Sequence, residues 1–237
     1  MTIRPVLFCG DISKKQEAAL SRMGYDVRRL PPEAALPHAV CRHPDMLMAK
    51  LPSGKLLIQE SYFRANEVLL SPFVSTFVLT SDTLGGTYPD DVKFNALPVG
   101  DTLYGGRTVS QTLCSAYSEF VEIRQGYAHC AACRVGNGIV TADRSLYAAL
   151  IENGVDALLI ESGHIALPPY GYGFIGGASL TLFDTCTAFF GKIEDHPDYG
   201  AMKRFADDRG VTLLSLSDEP LTDYGGGYVI ENETKKT

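Results

Sequence analysis

A short apolar strand, a short helix, often a glycine and then another apolar strand recur as a unit along this chain. Self-similarity at such a period constrains the architecture before any single motif does. Three copies are plain. Residues 6–11 lead into a helix over 14–23, then Gly24, then a strand over 25–27. Residues 138–143 lead into 146–153, Gly154 and 155–160. Residues 188–194 lead into 199–209, Gly210 and 211–216. Two looser copies between the first and second end in strands over 76–80 and 120–124, which makes five units in 237 residues, about 47 each. The glycines have a physical cause: a helix often ends on a left-handed residue just past its last turn, and glycine takes that shape without steric cost. Asp11 and Asp143 precede their helices, where a carboxylate can cap free N–H groups.

The termini do not fit an open array. The strand starting at Gly227 has no helix after it, and the strand starting at Val6 has no partner before it. If the two pair, the chain closes into a ring of five ββαβ units: 225–237 with 1–36, 37–82, 92–125, 127–162 and 172–218. A closed ring removes the exposed sheet edges of an open array. Hydrophobic content of 45% with 21% charged residues fits a chain that buries a sizeable core. The formal net charge of −7 argues against nucleic acid or an anionic membrane as partner and suits a neutral or cationic small ligand. No apolar run approaches the roughly 20 residues of a membrane span, and the N-terminus lacks the long apolar segment of a signal peptide. These features predict a cytoplasmic protein, monomer or homodimer, whose six cysteines are reduced thiols. The sequon Asn232-Glu233-Thr234 falls in a polar tail expected to fray.

Five such units closed through the termini resemble the pentein family, the α/β propellers of guanidino-group-modifying enzymes. The stretches 127–133, 160–165 and 173–178 also resemble an uncharacterised bacterial branch of that fold. The fold class implied is α/β, a five-bladed pseudo-symmetric propeller. A doubly wound parallel sheet that binds a sugar or nucleotide is the competing architecture, since it too produces strand–helix–glycine–strand units. Against it, no G-x-G-x-x-G follows a first strand, and each unit carries an extra strand before its helix.

In a ring of these units the first strand of each lies nearest the axis. Aligning them places Cys41-Arg42-His43-Pro44-Asp45, Asn95-Ala96-Leu97-Pro98, Cys133-Arg134-Val135-Gly136-Asn137, Ile175-Gly176-Gly177-Ala178 and Gly225-Gly226-Gly227-Tyr228 around one funnel. The funnel is the expected small-molecule site. Residues two apart on a strand point the same way, so His43 and Asp45 are expected to face one space. His-x-Asp resembles the motif of arginine deiminases and amidinotransferases. The resemblance implies a carboxylate that grips a guanidinium, a His that moves protons and a Cys thiolate that attacks the guanidinium carbon. On that reading His43, Asp45, Cys133 and Cys41 are the catalytic candidates, and Asn95, Asn137, Gly176 and Gly177 the ligand-binding ones. The family's pattern is incomplete: no cysteine lies near the C-terminus, and Ala178 and Tyr228 stand where a Gly-Gly-Asp strand would carry its acid.

His129-Cys130-Ala131-Ala132-Cys133 suggests a metal site, but no second C-x-x-C exists, and on an extended strand residues three apart face opposite ways. Neither a metal nor a cofactor is therefore expected. The glycine-dense run from Gly171 to Ser179 reads as close axial packing, with His164, Tyr170 and Tyr172 able to line the same mouth. Two functions stay open: a hydrolase or transferase on a guanidino or amidino compound, and a non-catalytic binding protein similar to the ribosomal anti-association factor.

Overall fold

The computed structural model describes residues 4–230; the sequon and the polar tail lie outside the described residues. Its strands form five separate three-stranded sheets. The first sheet joins the termini. β1 (Val6–Cys9) pairs in parallel with β2 (Asp26–Arg29), and antiparallel with the C-terminal β15 (Gly227–Ile230) through Val6–Ile230 and Cys9–Gly227. The others follow in chain order: β3 (Met48–Lys50), β4 (Leu56–Gln59) and β5 (Phe77–Thr80); β6 (Leu97–Val99), β7 (Thr102–Gly105) and β8 (Glu119–Glu122). Next come β9 (Ala132–Val135), β10 (Gly138–Thr141) and β11 (Ala157–Leu159), then β12 (Ser179–Phe183), β13 (Cys186–Phe189) and β14 (Thr212–Ser215). In each sheet the first strand runs antiparallel to the second and the second parallel to the third, which is the ββαβ unit. An open doubly wound sheet is thereby excluded: the chain is a five-bladed α/β propeller closed by its terminal strands.

The middle strands show why the blades read as apolar runs. A strand turns alternate side chains to opposite faces. In β1, Val6 and Phe8 enter one apolar cluster with Met48, Ile58 and Phe77, while Leu7 and Cys9 enter another with Leu180, Ala188 and Phe190. In β10, Ile139 packs with Leu97 and Tyr104, and Val140 with Phe189 and Leu213. A middle strand buried on both faces has no polar side, so it loses the alternation of a half-exposed strand. The core is thus a set of seams between neighbouring blades around the ring.

Local signals hold in most places. Gly24, Gly154 and Gly210 have φ of 97°, 71° and 65°, as expected of residues just past a helix end. Asp143 caps helix Arg144–Glu152 through Leu146 N. Asp11 does not cap helix Lys14–Arg22. Ser13 does so, in a reciprocal capping box with Gln16, and Asp11 instead pairs with Arg29.

One expectation fails in a way that matters for the site. Residues 41–45 are not strand: His43 is the N-cap of a one-turn helix, Pro44–Leu47, and the strand begins only at Met48. Pro44 is the cause, since its fixed φ suits the first helical turn and it has no N–H for a ladder. The same offset recurs. Asn95 sits in the turn before β6, Cys130 in the turn before β9, Gly176 and Gly177 before β12, and Gly225 before β15. Turns at the entrances of the first strands, not the strands themselves, carry these residues to the axis.

Candidate functional site

The axial turns are tied together by backbone. Gly177 N donates to Cys130 O, Tyr224 N and Gly226 N donate to Gly177 O, and Asp45 N donates to Gly225 O. Glycine is required where these turns cross: a Cβ on Gly177 would lie 1.9 Å from Asp223 Oδ1, and one on Gly225 2.3 Å from His43 Cβ. Asn95, fully buried, holds the neighbouring turn by accepting from both His129 N (2.9 Å) and Cys130 N (3.1 Å) on its Oδ1. Asn95→Ala leaves two buried N–H groups without their acceptor. It is expected to lower unfolding stability by about 3 kcal/mol in a urea titration; a loss under 1 kcal/mol would show that these amides find other partners.

Four buried side chains meet inside this frame. The Cys130 thiol donates to Asp45 Oδ2 at 2.6 Å. His43 Nδ1 is 3.6 Å from Asp223 Oδ1, and His129 Nδ1 is 3.6 Å from Asp45 Oδ2 on the other side. One ligand atom each of His43, Cys130 and Asp223 lie within 4.8 Å of one another. Asp223 is oriented by Gly225 N (2.9 Å) and Phe174 N (2.8 Å), and burial raises its carboxyl to about 6 against the pull of His43 and these amides. Burial, reinforced by Asp223 and Asp45, holds the Cys130 thiol well above its ordinary value, so the resting sulfur is protonated. Two buried carboxylates beside a thiol make the site electronegative. The His43, Cys130 and Asp223 atoms also form an N, S, O donor set that could hold a zinc-like ion, which would have to displace the thiol proton.

His43, Cys130 and Asp223 form one end of a cavity of about 320 Å³ whose walls include Tyr127, Tyr170, Tyr172 and Phe174. Tyr127 stacks on Phe174 at 5.9 Å and on Tyr88 at 5.9 Å, and its hydroxyl donates to the buried Asp91. A second, larger cavity of about 540 Å³ is lined from the first strands of all five blades, by Lys50, Leu97, Arg134, Thr181 and Tyr228 among others, together with His129.

The model for the Family of unknown function (DUF6873) matches residues 8–227. The chain belongs to this family. No curated protein matches the DUF6873 chain in sequence. Among solved structures it is similar to DDAH from Pseudomonas aeruginosa, a mutant complexed with citrulline, at 9% identity over 92% of this chain and 93% of that one, TM-score 0.53. It is similar also to a dimethylarginine dimethylaminohydrolase adduct with S-methyl-L-thiocitrulline, at 8% identity over 92% and 93%, TM-score 0.52. A third is SxtG, an amidinotransferase from Microseira wollei in the saxitoxin biosynthetic pathway, at 11% identity over 99% and 97%, TM-score 0.53. At such identities the likeness gives the fold, which is the pentein propeller.

Of the residues singled out in the DUF6873 sequence, His43, Asp45 and Asn95 converge at the axis, but only His43 reaches the smaller cavity. Gly176 and Gly177 pack against the backbone of 129–132 and against Asp223; Gly176 also borders the larger cavity. Asn137 is exposed in the turn between β9 and β10, outside the linings of both cavities. Cys41 is buried elsewhere, with its thiol on His38 O at 3.2 Å. Cys133 is sealed in an apolar seam with Val140 and Phe189, where burial raises its thiol to about 12. Tyr170 and Tyr172 line the smaller cavity, whereas His164 sits against His196 at 5.2 Å. Cys130 and Asp223 were not among the singled-out site residues. An extended strand would turn Cys130 away from Cys133, but the segment is a turn in which Ala131 N and Ala132 N bond back to Tyr127 O and His129 O. Asp223 stands two residues before Gly225-Gly226, not after a Gly-Gly pair. Its signal was the Asx turn in which Oδ1 accepts from Gly225 N.

Proposed function

We propose that this chain is a hydrolase or transferase acting on a guanidino or amidino compound. Cys130 is its nucleophile, His43 its proton carrier, Asp223 its carboxylate facing the cation, and Asp45 the acceptor of the thiol proton. The observation that carries this reading is the meeting of buried Cys130, His43 and Asp223 within 4.8 Å of one another in the lining of a cavity, backed by Asp45 on the sulfur. The similarity in fold to DDAH and to an amidinotransferase supports it.

The electrostatics supply the activation. With the cavity free of a cation, two carboxylates disfavour a third negative charge on Cys130. An amidinium beside Asp223 offsets that repulsion, and the thiol proton can pass to Asp45, which already accepts its hydrogen bond. Sγ then attacks the amidinium carbon, and the C–N bond to the leaving amine breaks as His43 gives that nitrogen a proton. Water, or an acceptor amine in a transferase, adds to the same carbon and gives up a proton to His43, which restores the proton that His43 spent on the leaving amine. The C–S bond breaks, and the sulfur recovers its proton. A purely non-catalytic role gives no reason to bury a thiol, an imidazole and two carboxylates at one cavity end, a costly arrangement in a structural core.

The test uses the full chain and a panel of alkyl, aryl and amino-acid guanidines and amidines. Release of amine or ammonia, with a mass increment on the acid-quenched Cys130 peptide, is the expected result. No release with any member overturns the catalytic reading.

A further inference from the structure

The smaller cavity is chemically lopsided, and that asymmetry bears on what it takes. Its imidazole, thiol and carboxyl groups all sit together, on His43, Cys130 and Asp223. The remaining wall is Tyr127, Tyr170, Tyr172, Phe174 and aliphatic side chains such as Leu167 and Val40. Among the described residues that line it, none is Lys or Arg. A ligand that places its cationic carbon at Cys130 must lay the rest of itself along this wall. A carboxylate there would find no Lys or Arg among the lining residues, and a charge set against a largely apolar wall without a countercharge is disfavoured. A flat apolar group meets the opposite situation. Phe174 lies between Tyr127, stacked at 27°, and Tyr172, turned edge-on at 79°, which holds the wall in a fixed shape for another ring or an alkyl chain. Tyr170 and Tyr172 are both 49% exposed, large apolar bodies left open at the mouth.

We infer that the compound this cavity takes is a guanidine or amidine bearing an apolar or aromatic substituent and no carboxylate. The inference rests on the guanidino or amidino reading of the Cys130 end. It goes further in setting aside free amino acids such as arginine as the preferred ligands, and it assigns selectivity to the Tyr127–Phe174–Tyr172 wall.

Calorimetric titration of the full chain with benzylguanidine and with L-arginine tests it, since both carry a guanidinium and only arginine carries a carboxylate. Benzylguanidine is expected to bind at least tenfold more tightly; equal or tighter binding of arginine overturns the inference. Tyr172→Ala is expected to weaken benzylguanidine at least fivefold, and Asp223→Asn to weaken it further. Unchanged binding in either variant places the ligand elsewhere and likewise overturns it. The two readings separate cleanly. Benzylguanidine that binds while no member of the guanidine and amidine panel is turned over removes the catalytic reading and leaves the ligand class standing. Arginine that is bound and processed better removes the ligand class and leaves the catalytic reading. If neither guanidine binds, the ligand class falls, and the catalytic reading falls with it only if the whole panel also goes unprocessed.

Discussion

Cys130→Ala is expected to lower the release of amine or ammonia from any guanidino substrate by at least about 10³-fold, while Cys41→Ala and Cys133→Ala stay within a few-fold of the parent. The contrast follows from where the three sulfurs lie. Cys130 alone lines the cavity, shares its end with His43 and Asp223, and has a carboxylate placed to receive its proton. Cys133 is fully buried between blades, and Cys41 faces the carbonyl of His38. Cys133→Ala removes a buried sulfur from a packed seam, so its cost should appear in unfolding, as about 1 kcal/mol, and not in turnover. Cys130→Ser is the control for folding. Its hydroxyl can keep the bond to Asp45, but a serine oxygen is a far weaker nucleophile than a thiolate. A serine variant with parental unfolding and lost turnover is the decisive pair of results; parental turnover in Cys130→Ala would transfer the chemistry to another group.

Much of the architecture was legible because it depends on periodicity. Units of strand, helix and glycine repeat wherever a blade is built, and the unpaired terminal strands admit a mutual pairing, seen as Val6 against Ile230. The site was only half legible, and one geometric assumption accounts for that. Taking the first strand of each unit as the axial segment, with Cys41-Arg42 and Cys133-Arg134 in common register, places Cys133 at the axis and leaves Cys130 off it. The backbone enters each first strand through a turn, and the turn delivers the functional side chain. Had His43-Pro44-Asp45 been read as a helix start, because Pro favours the first helical turn, the neighbouring turns would have aligned on Asn95, Cys130, Gly176 and Gly225. Asp223 was harder to see. Nothing local distinguishes it from a surface acid of an Asx turn until Gly177, which has no side chain to intervene, is brought against its carboxylate. That contact joins residues 46 apart in sequence.

Asp223 should also reveal itself through pH. Its native carboxyl is raised to about 6 chiefly by burial, from an ordinary value of 3.8. The native state therefore holds this proton more tightly than the unfolded chain does. The stabilisation is complete below pH 4 and is lost as pH rises through 6, because between those values the folded protein binds more protons than the unfolded one. Two pH units correspond to on the order of 3 kcal/mol. Asp223→Asn has no such proton to lose, while the other carboxylates titrate in both proteins. The stability of the parent relative to Asp223→Asn is accordingly expected to fall by that amount between pH 4 and pH 7.5, measured by urea unfolding at several pH values. Parallel curves would mean that Asp223 is ionised in the folded chain throughout, with His43 and the amides of Phe174 and Gly225 outweighing its burial. Turnover should respond in the opposite sense. At pH 7.5 the carboxylate that weakens the empty protein is the one that draws an amidinium to Cys130 and faces His43 Nδ1. Asp223→Asn keeps an acceptor for only one of the amides of Gly225 and Phe174, so it is expected to narrow its stability deficit as pH rises to 7.5 and to lose at least about 10²-fold in kcat/KM.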